Sequence, residues 1–259
     1  MRRYSGKVEG GEEKTNFNFS GSGFLLTFHA GAADVFLKRG IIKESSTFSG
    51  ASGGAIISAA LATGISPDTI ISTTLEISAI CRQKGTVTKV GKLLEEHLRK
   101  MFKPGDENLC SGRVALAVSR VKPRPFLSPV MVRSFHDRDH LISTIMASCF
   151  IPGYLSPHAT FRMDKDRYID GALVNILPPI RSSVNVLCFK KRWVSFMVPN
   201  TCDMTSLISP DIIPNFPYKL PQMVKFALFP ATDEEVFRMF QLGQQAAELW
   251  LDRRSESKK

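Results

Sequence analysis

The sequence predicts an α/β protein, with a parallel or mixed sheet covered by helices. Three observations point there. Short apolar runs of strand character mostly alternate with segments whose apolar residues recur at helical spacing. The segment "GAIISAALATG" (Gly54–Gly64) has almost no polar side chain, and a helix apolar all round is a buried helix. At 259 residues and 43% hydrophobic content, the chain suits one large domain better than two small ones.

Residues 1–15, rich in glycine and charge, read as a mobile leader with no apolar stretch of a secretory signal. Phe17 and Phe19 alternate with Asn16 and Asn18, as on a short strand. "SGSGF" (Ser20–Phe24) breaks the chain before a helix from Leu25 to Arg39, which Gly40 stops. "STFSG" (Ser46–Gly50) is a second strand, and the buried helix follows Gly53. Pro67-Asp68 starts a helix reaching about Cys81. Lys89–Phe102 carries Val90, Leu93, Leu94, Leu98, Met101 and Phe102 on one stripe. It reads as a surface helix facing the core, with membrane contact as the alternative.

"VALAVSR" (Val114–Arg120) and "PVMVRSF" (Pro129–Phe135) read as strands joined by "KPRPF". Asp137 caps a helix running to Cys149, and "CFIPGYLSP" is an irregular apolar loop. Phe161–Met163 and Tyr168-Ile169 form a hairpin around a charged turn in which Asp164 and Asp166 face solvent. Val184–Phe189 is a further strand. Prolines at 210, 214, 217, 221 and 230 make Ser206–Pro230 a wrapping segment. An amphipathic helix, Asp233–Arg253, closes a domain of residues 16–253, and 254–259 is a polar tail.

Lysine and arginine number 34 against 24 acids, a net charge of +10. Such a balance favours an anionic membrane surface or nucleic acid. The basic residues are dispersed (Lys38-Arg39, Arg99-Lys100, Lys190–Arg192, Arg253-Arg254) and no nucleic-acid motif accompanies them. Nucleic acid is therefore not an expected partner. The cysteines, Cys81, Cys110, Cys149, Cys188 and Cys202, form no Cys-x-x-Cys, so neither a metal site nor a disulfide framework is expected. Free thiols suit a reducing compartment. No apolar run approaches the roughly 18 residues of a membrane span.

The stretch "FSGASGGAIISAALATG" (Phe48–Gly64) holds the strongest chemical signal. A nucleophile elbow places serine at a sharp strand-to-helix turn, and side chains two before and two after it would collide. Ser52 has Gly50 before it and Gly54 after it, an apolar strand upstream and a buried helix downstream. The other reading is a glycine-rich packing turn. A nucleophilic serine needs a base. Of His29, His97, His136, His140 and His158, none lies in the last hundred residues, where a Ser…Asp…His order requires one. A carboxylate base is the expectation instead. Asp170 stands between apolar residues at a strand end, before Gly171. Burial there would raise its pKa and make it a better base; a plain Asp-Gly turn is the competing reading. Amides for an oxyanion hole come from Gly21-Ser22-Gly23, where a phosphate loop would need a lysine or third glycine that is absent.

Taken together, "SGSGFLLTFHAGAADVFLKRG", "GASGGAIISAALATG", "ASCFIPGYLSP" and "YIDGALVNILP" resemble the patatin-like phospholipase family, nearest its branch of adipose triglyceride lipase and adiponutrin. "FALFPATDEEVFRMFQLGQQAAELWL" resembles the helix closing that branch's catalytic domain. The resemblance implies a three-layer α/β/α fold with a mixed, mostly parallel sheet. It implies a Ser–Asp dyad, with Ser52 as nucleophile, Asp170 as base, and Gly21, Ser22, Gly23 and Gly53 lining the oxyanion hole. Gly50 and Gly54 would shape the elbow.

The implied reaction is hydrolysis of fatty-acyl esters of glycerolipids, triacylglycerol or phospholipid, through an acyl-enzyme and without metal or organic cofactor. A transacylase using the same dyad and a non-catalytic lipid-surface module are the alternatives. The resemblance further implies a cytoplasmic protein on membranes or lipid droplets, with scope for a protein activator. The loop lacks the third glycine and the following arginine of plant-type members, and Phe24 follows Gly23 as in the adipose-lipase branch, a departure that favours neutral glycerolipids. Gly53 and Asp-Gly-Ala replace commoner small residues. The chain stops after its last helix, as a minimal enzyme or a trimmed domain would.

Overall fold

The computed structural model describes residues 15–121, 126–180, 184–200 and 206–256. The expected leader up to residue 14, most of the "KPRPF" connection, Cys202 and the last three residues of the tail lie outside the described residues. An eight-stranded mixed sheet organises the chain. Strand β1 (Asn16–Phe19) lies between β2 (Thr47–Ala51) and β7 (Val184–Val186) and is parallel to both. β2 is parallel to β3 (Val114–Val121), and β7 to β8 (Leu207–Ile208). The far end is antiparallel: β4 (Leu127–Val132) and β6 (Asp166–Asp170) both pair with β3, and β5 (Phe161–Met163) pairs with β6. Helices flank this sheet, as parallel strands require, because their crossovers must lie on the faces.

β1 is the short strand expected there, but its alternation does not divide buried from exposed residues. Phe17 and Phe19 are buried, but so is Asn18. β1 is central and covered on both faces, so its polar residue needs partners instead of water. Asn18 donates to the Pro178 carbonyl at 3.1 Å and to Asn185 at 3.0 Å, and accepts from the Ser49 hydroxyl at 2.8 Å. On the phenylalanine side, Phe17 packs on Phe36 and Phe48 with ring centroids 5.4 Å and 5.8 Å away.

Helix α1 (Leu26–Lys38) packs along the closing helix, Asp233–Glu256, through reciprocal glycines. A methyl on Gly31 would sit 2.0 Å from the Phe240 carbonyl oxygen, and one on Gly243 2.0 Å from that of Phe28. These backbones touch, so the closing helix locks the one that comes after the first glycine loop.

Several elements escape the sequence reading. They are short helices at Asp106–Cys110 and Lys191–Val194, strand β8, and the helix Leu220–Leu228 inside the supposed wrapping segment. Pro221 lies in that helix's first turn, where the missing N–H has no acceptor to lose. β4 ends at Val132, short of the expected Phe135, and β7 ends at Val186, short of Phe189. Asp166 is not simply solvated; it pairs with Arg120 at 3.0 Å.

β3 positions the site. On one edge it carries β4. On the other edge β2 pairs as far as Ala51 opposite Ala117, and β6 takes over with Asp170 opposite Val118. The residue before Ser52 and the expected base therefore face consecutive residues of one strand.

Candidate active site

Ser52 sits at the junction of β2 and helix α2 (Gly53–Ala62) with φ 54° and ψ −127°, a positive-φ conformation that an L-residue adopts only under constraint. The flanking glycines are steric necessities. A Cβ on Gly50 would lie 2.1 Å from the Gly54 carbonyl oxygen, and one on Gly54 2.4 Å from that of Phe19. The serine is 6% exposed and begins a helix whose first N–H groups have no acceptor within the helix.

Asp170, 1% exposed, faces Ser52. Its carboxylate accepts from the Ala172 N–H at 2.7 Å, and its own N–H donates to the Phe150 carbonyl at 2.8 Å. Burial raises its pKa to about 7, while the Ser52 side chain and the Ala172 N–H pull the other way. Cys149 also reaches Ser52; burial and the nearby Asp170 charge hold its thiol well above the ordinary range. Cys81, Cys110 and Cys188 are likewise free and buried.

The glycine loop lies against this pair. A Cβ on Gly21 would meet the Ala172 Cβ at 2.3 Å and the Ser52 Cβ at 3.7 Å. One on Gly53 would lie 2.2 Å from the Ser22 hydroxyl and 3.3 Å from the Gly23 nitrogen. Ser22, Gly23 and Gly53 thus come together. Gly21 departs from expectation: its N–H donates to the Ile176 carbonyl at 2.8 Å, so it is not an amide free to meet a substrate. The loop after Asp170 returns beside Gly21 and accepts that hydrogen bond.

Ser148 is a site residue that sequence reasoning misses. Its hydroxyl accepts from the Ser52 N–H at 2.9 Å and donates to the Ala117 carbonyl at 2.7 Å. It falls within the "ASCFIPGYLSP" stretch, but nothing in the sequence marks a serine at a helix end as a partner of the elbow. None of the histidines takes the base position. His29 is buried in the core, where desolvation lowers its pKa to about 4, and His158 lines another cavity.

A narrow apolar pocket of ≈ 80 Å³ opens onto Ser52, Gly53 and Gly23. Ile56, Ile77, Leu94, Tyr154, Leu155 and Leu228 form its walls. Val90 and Leu94 come from α4 (Val90–Met101), so the apolar stripe of that helix faces inward, partly onto this pocket. The helix Leu220–Leu228 covers the pocket with Ala227 and Leu228, and the Tyr154 hydroxyl donates to the Leu228 carbonyl.

The patatin-like phospholipase family model matches residues 18–180, well over half of the chain, including the glycine loop, Ser52, Ser148 and Asp170. The chain belongs to the patatin-like phospholipase family. Human patatin-like phospholipase domain-containing protein 4 is 27% identical over 244 residues, covering 88% of this chain and 92% of that protein. Mouse 1-acylglycerol-3-phosphate O-acyltransferase Pnpla3 is 24% identical over 185 residues, covering 68% of this chain but only 43% of its own length. VipD from Legionella pneumophila shares the patatin fold at TM-score 0.50 and 14% identity, over 93% of this chain and 67% of that one. Among the described residues, no helix is long and apolar enough to cross a membrane.

Proposed function

We propose that this patatin-like protein is a serine lipid acyl hydrolase that works through a Ser52–Asp170 dyad. The observation that carries the reading is the meeting of a strained, nearly buried serine with a buried carboxylate at the mouth of an apolar pocket. Asp170, ionised, accepts the proton of the Ser52 hydroxyl as its oxygen attacks the ester carbonyl. The negative charge that develops on the carbonyl oxygen is stabilised by the N–H groups of Ser22, Gly23 and Gly53 and by the helix end behind them. The tetrahedral intermediate collapses, and protonated Asp170 gives its proton to the leaving alcohol. Water then attacks the acyl-serine, with Asp170 again taking the proton. The bond from the acyl carbon to the Ser52 oxygen breaks, releasing the fatty acid as Asp170 returns the proton to Ser52.

The substrate class is a fatty-acyl ester of a glycerolipid, triacylglycerol or phospholipid, with its chain in the apolar pocket. Val224 and Phe229, exposed on and beside the covering helix, with exposed Leu173 just after Asp170, suit work at a membrane or droplet surface. A non-catalytic surface module keeps the basic surface in its favour but loses the two amphipathic helices. The apolar stripes of α4 and of the closing helix face inward, with Leu98, Met239, Ala246 and Trp250 all buried. A transacylase is the second reading, because similar proteins bear acyltransferase and transacylase names. In that case a glyceride or lysolipid hydroxyl would replace water.

The test is a panel of triacylglycerol, phospholipid and galactolipid with fluorophosphonate labelling. The proposal expects ester cleavage and labelling that vanish in Ser52→Ala. Undiminished hydrolysis in that variant would sink it, and a labelled acyl acceptor separates hydrolysis from transfer.

A further inference from the structure

A second cavity, of ≈ 560 Å³, lies beside the acyl pocket, between α4, the 150–160 loop and the β5–β6 hairpin. Neither Ser52 nor Asp170 lines it, so a ligand held there is independent of the ester chemistry assigned to that pair. Alternating residues of the same segments face the two cavities: Val90 and Leu94 one, Gly91 and Glu95 the other, with Leu155 shared. The wall between them is tight, since the Gly91 N–H donates to the Leu155 carbonyl at 3.1 Å.

The charges around this cavity are lopsided. Arg162 and Arg167 are direct cross-strand partners in the β5–β6 hairpin, so both guanidinium groups leave the same face. Like charges directly opposite are destabilising unless something lies between them. Lys92 approaches from α4. Among the described residues, neither Lys92 nor Arg162 makes an ion pair, and Arg167 has only a long contact to the Thr160 hydroxyl at 3.4 Å. The one carboxylate on the lining, Glu95, is held by Arg99 at 2.9 Å and 3.1 Å. The floor is apolar: the rings of Phe150 and Phe161 lie 5.8 Å apart, beside Met146.

We propose that this cavity binds the phosphate group of an anionic lipid, with Arg162, Arg167 and Lys92 around the phosphate and the first carbons of the lipid on Phe150 and Phe161. Guanidinium groups match phosphate oxygens in bidentate geometry, and a dianion between the two arginines converts their repulsion into attraction. Free phosphate offers the same anion without the apolar part. The floor favours the lipid.

Calorimetry at fixed salt tests this with four ligands: inorganic phosphate, glycerol 3-phosphate, dihexanoyl phosphatidate and dihexanoyl phosphatidylcholine. The protein carries Ser52→Ala so that no ester is cleaved. Phosphatidate is expected to bind at least about tenfold more tightly than inorganic phosphate or phosphatidylcholine. In Arg162→Gln/Arg167→Gln its affinity should fall about tenfold or more, while the exposed pair Lys191→Gln/Arg192→Gln leaves it within about twofold. An equal loss in both pairs reduces the effect to general basic charge and overturns the proposal. Phosphate or glycerol phosphate binding as tightly as phosphatidate overturns the lipid assignment. In the Ser52 protein, cleavage of a soluble p-nitrophenyl ester should be unchanged by the arginine pair, and unfolding midpoints confirm that both variants fold.

Discussion

The N–H of Ser52 donates to the Ser148 hydroxyl at 2.9 Å, and that hydroxyl donates onward to the Ala117 carbonyl at 2.7 Å. Helix α6 (Arg138–Ser148) thus ties the elbow to β3 through one oxygen. The arrangement accounts for a backbone that would otherwise relax, because the positive φ at Ser52 persists only where its surroundings over-determine it.

Ser148→Ala removes the acceptor and leaves the Ser52 N–H and the Ala117 carbonyl without this partner. The expected loss of stability is about 1–3 kcal/mol, read from denaturant unfolding. If Ser148 also positions Ser52 for its proposed role, kcat falls by roughly tenfold or more while KM changes little. A purely structural role would show the unfolding shift and an unchanged kcat, measured on a soluble ester at a temperature where the variant is folded.

Asp170 predicts two pH dependences of opposite sense. As a base it must be ionised, so kcat/KM should rise with pH through about 7 and level off above it. Stability runs the other way. The unfolded chain ionises Asp170 near the ordinary value of about 3.9, whereas the folded chain holds the proton up to about 7. Between these values the native state binds more protons, so this group's contribution to stability is fully present below about pH 4 and lost as pH rises to about 7. Asp170→Asn should therefore gain in Tm over the parent at pH 8, show little gain at pH 4, and have no activity at either. An acid limb near pH 4 would remove Asp170 from the base role.

Much of the site is legible in the sequence because its requirements are local. The glycines around Ser52 announce backbone that cannot carry a side chain, and an isolated acid between Ile169 and Gly171 announces burial. What stays hidden is long-range. That Ala51 and Asp170 face consecutive residues of β3 is a matter of register between strands far apart in sequence. Sequence alone offers the Gly21 N–H to a substrate, because its acceptor, Ile176, comes from a distant loop. The burial of Asn18 is not legible, because alternation alone cannot tell a half-buried strand from one covered on both faces. The helix at Leu220–Leu228 is hidden by prolines counted as breakers, although Pro221 in a first turn is a start signal.

The Ser22 hydroxyl is buried without a hydrogen-bond partner among the described residues, and it lies against Gly53. A buried hydroxyl in that state costs about 1–3 kcal/mol, which a substrate oxygen would offset. Ser22→Ala should consequently leave unfolding stability unchanged or raise it. If the hydroxyl joins the backbone donors in holding the oxyanion, kcat drops by about tenfold or more with KM nearly constant. Unchanged kcat would restrict the oxyanion hole to backbone amides.

The pocket at Ser52 is ≈ 80 Å³, whereas ligand sites run to about 300 Å³ and upward, so a long acyl chain cannot enter it as it stands. The covering helix is the element to move. It packs at Gly23, where a Cβ would lie 2.1 Å from the Ala227 carbonyl oxygen, at the bond from Tyr154 to Leu228, and through buried Met223 and the Phe226 ring against Tyr218. Its exposed Val224 and the adjacent Phe229 can transfer to an apolar surface as it lifts. Tyr154→Phe removes that bond and keeps the ring in the pocket wall. The expected result is a higher rate on long-chain monomeric esters, by a few-fold, with little change on butyrate esters or on lipid emulsions, where the surface already favours the open state. An equal change on all three substrates would mean that Tyr154 acts on the chemistry and not on access.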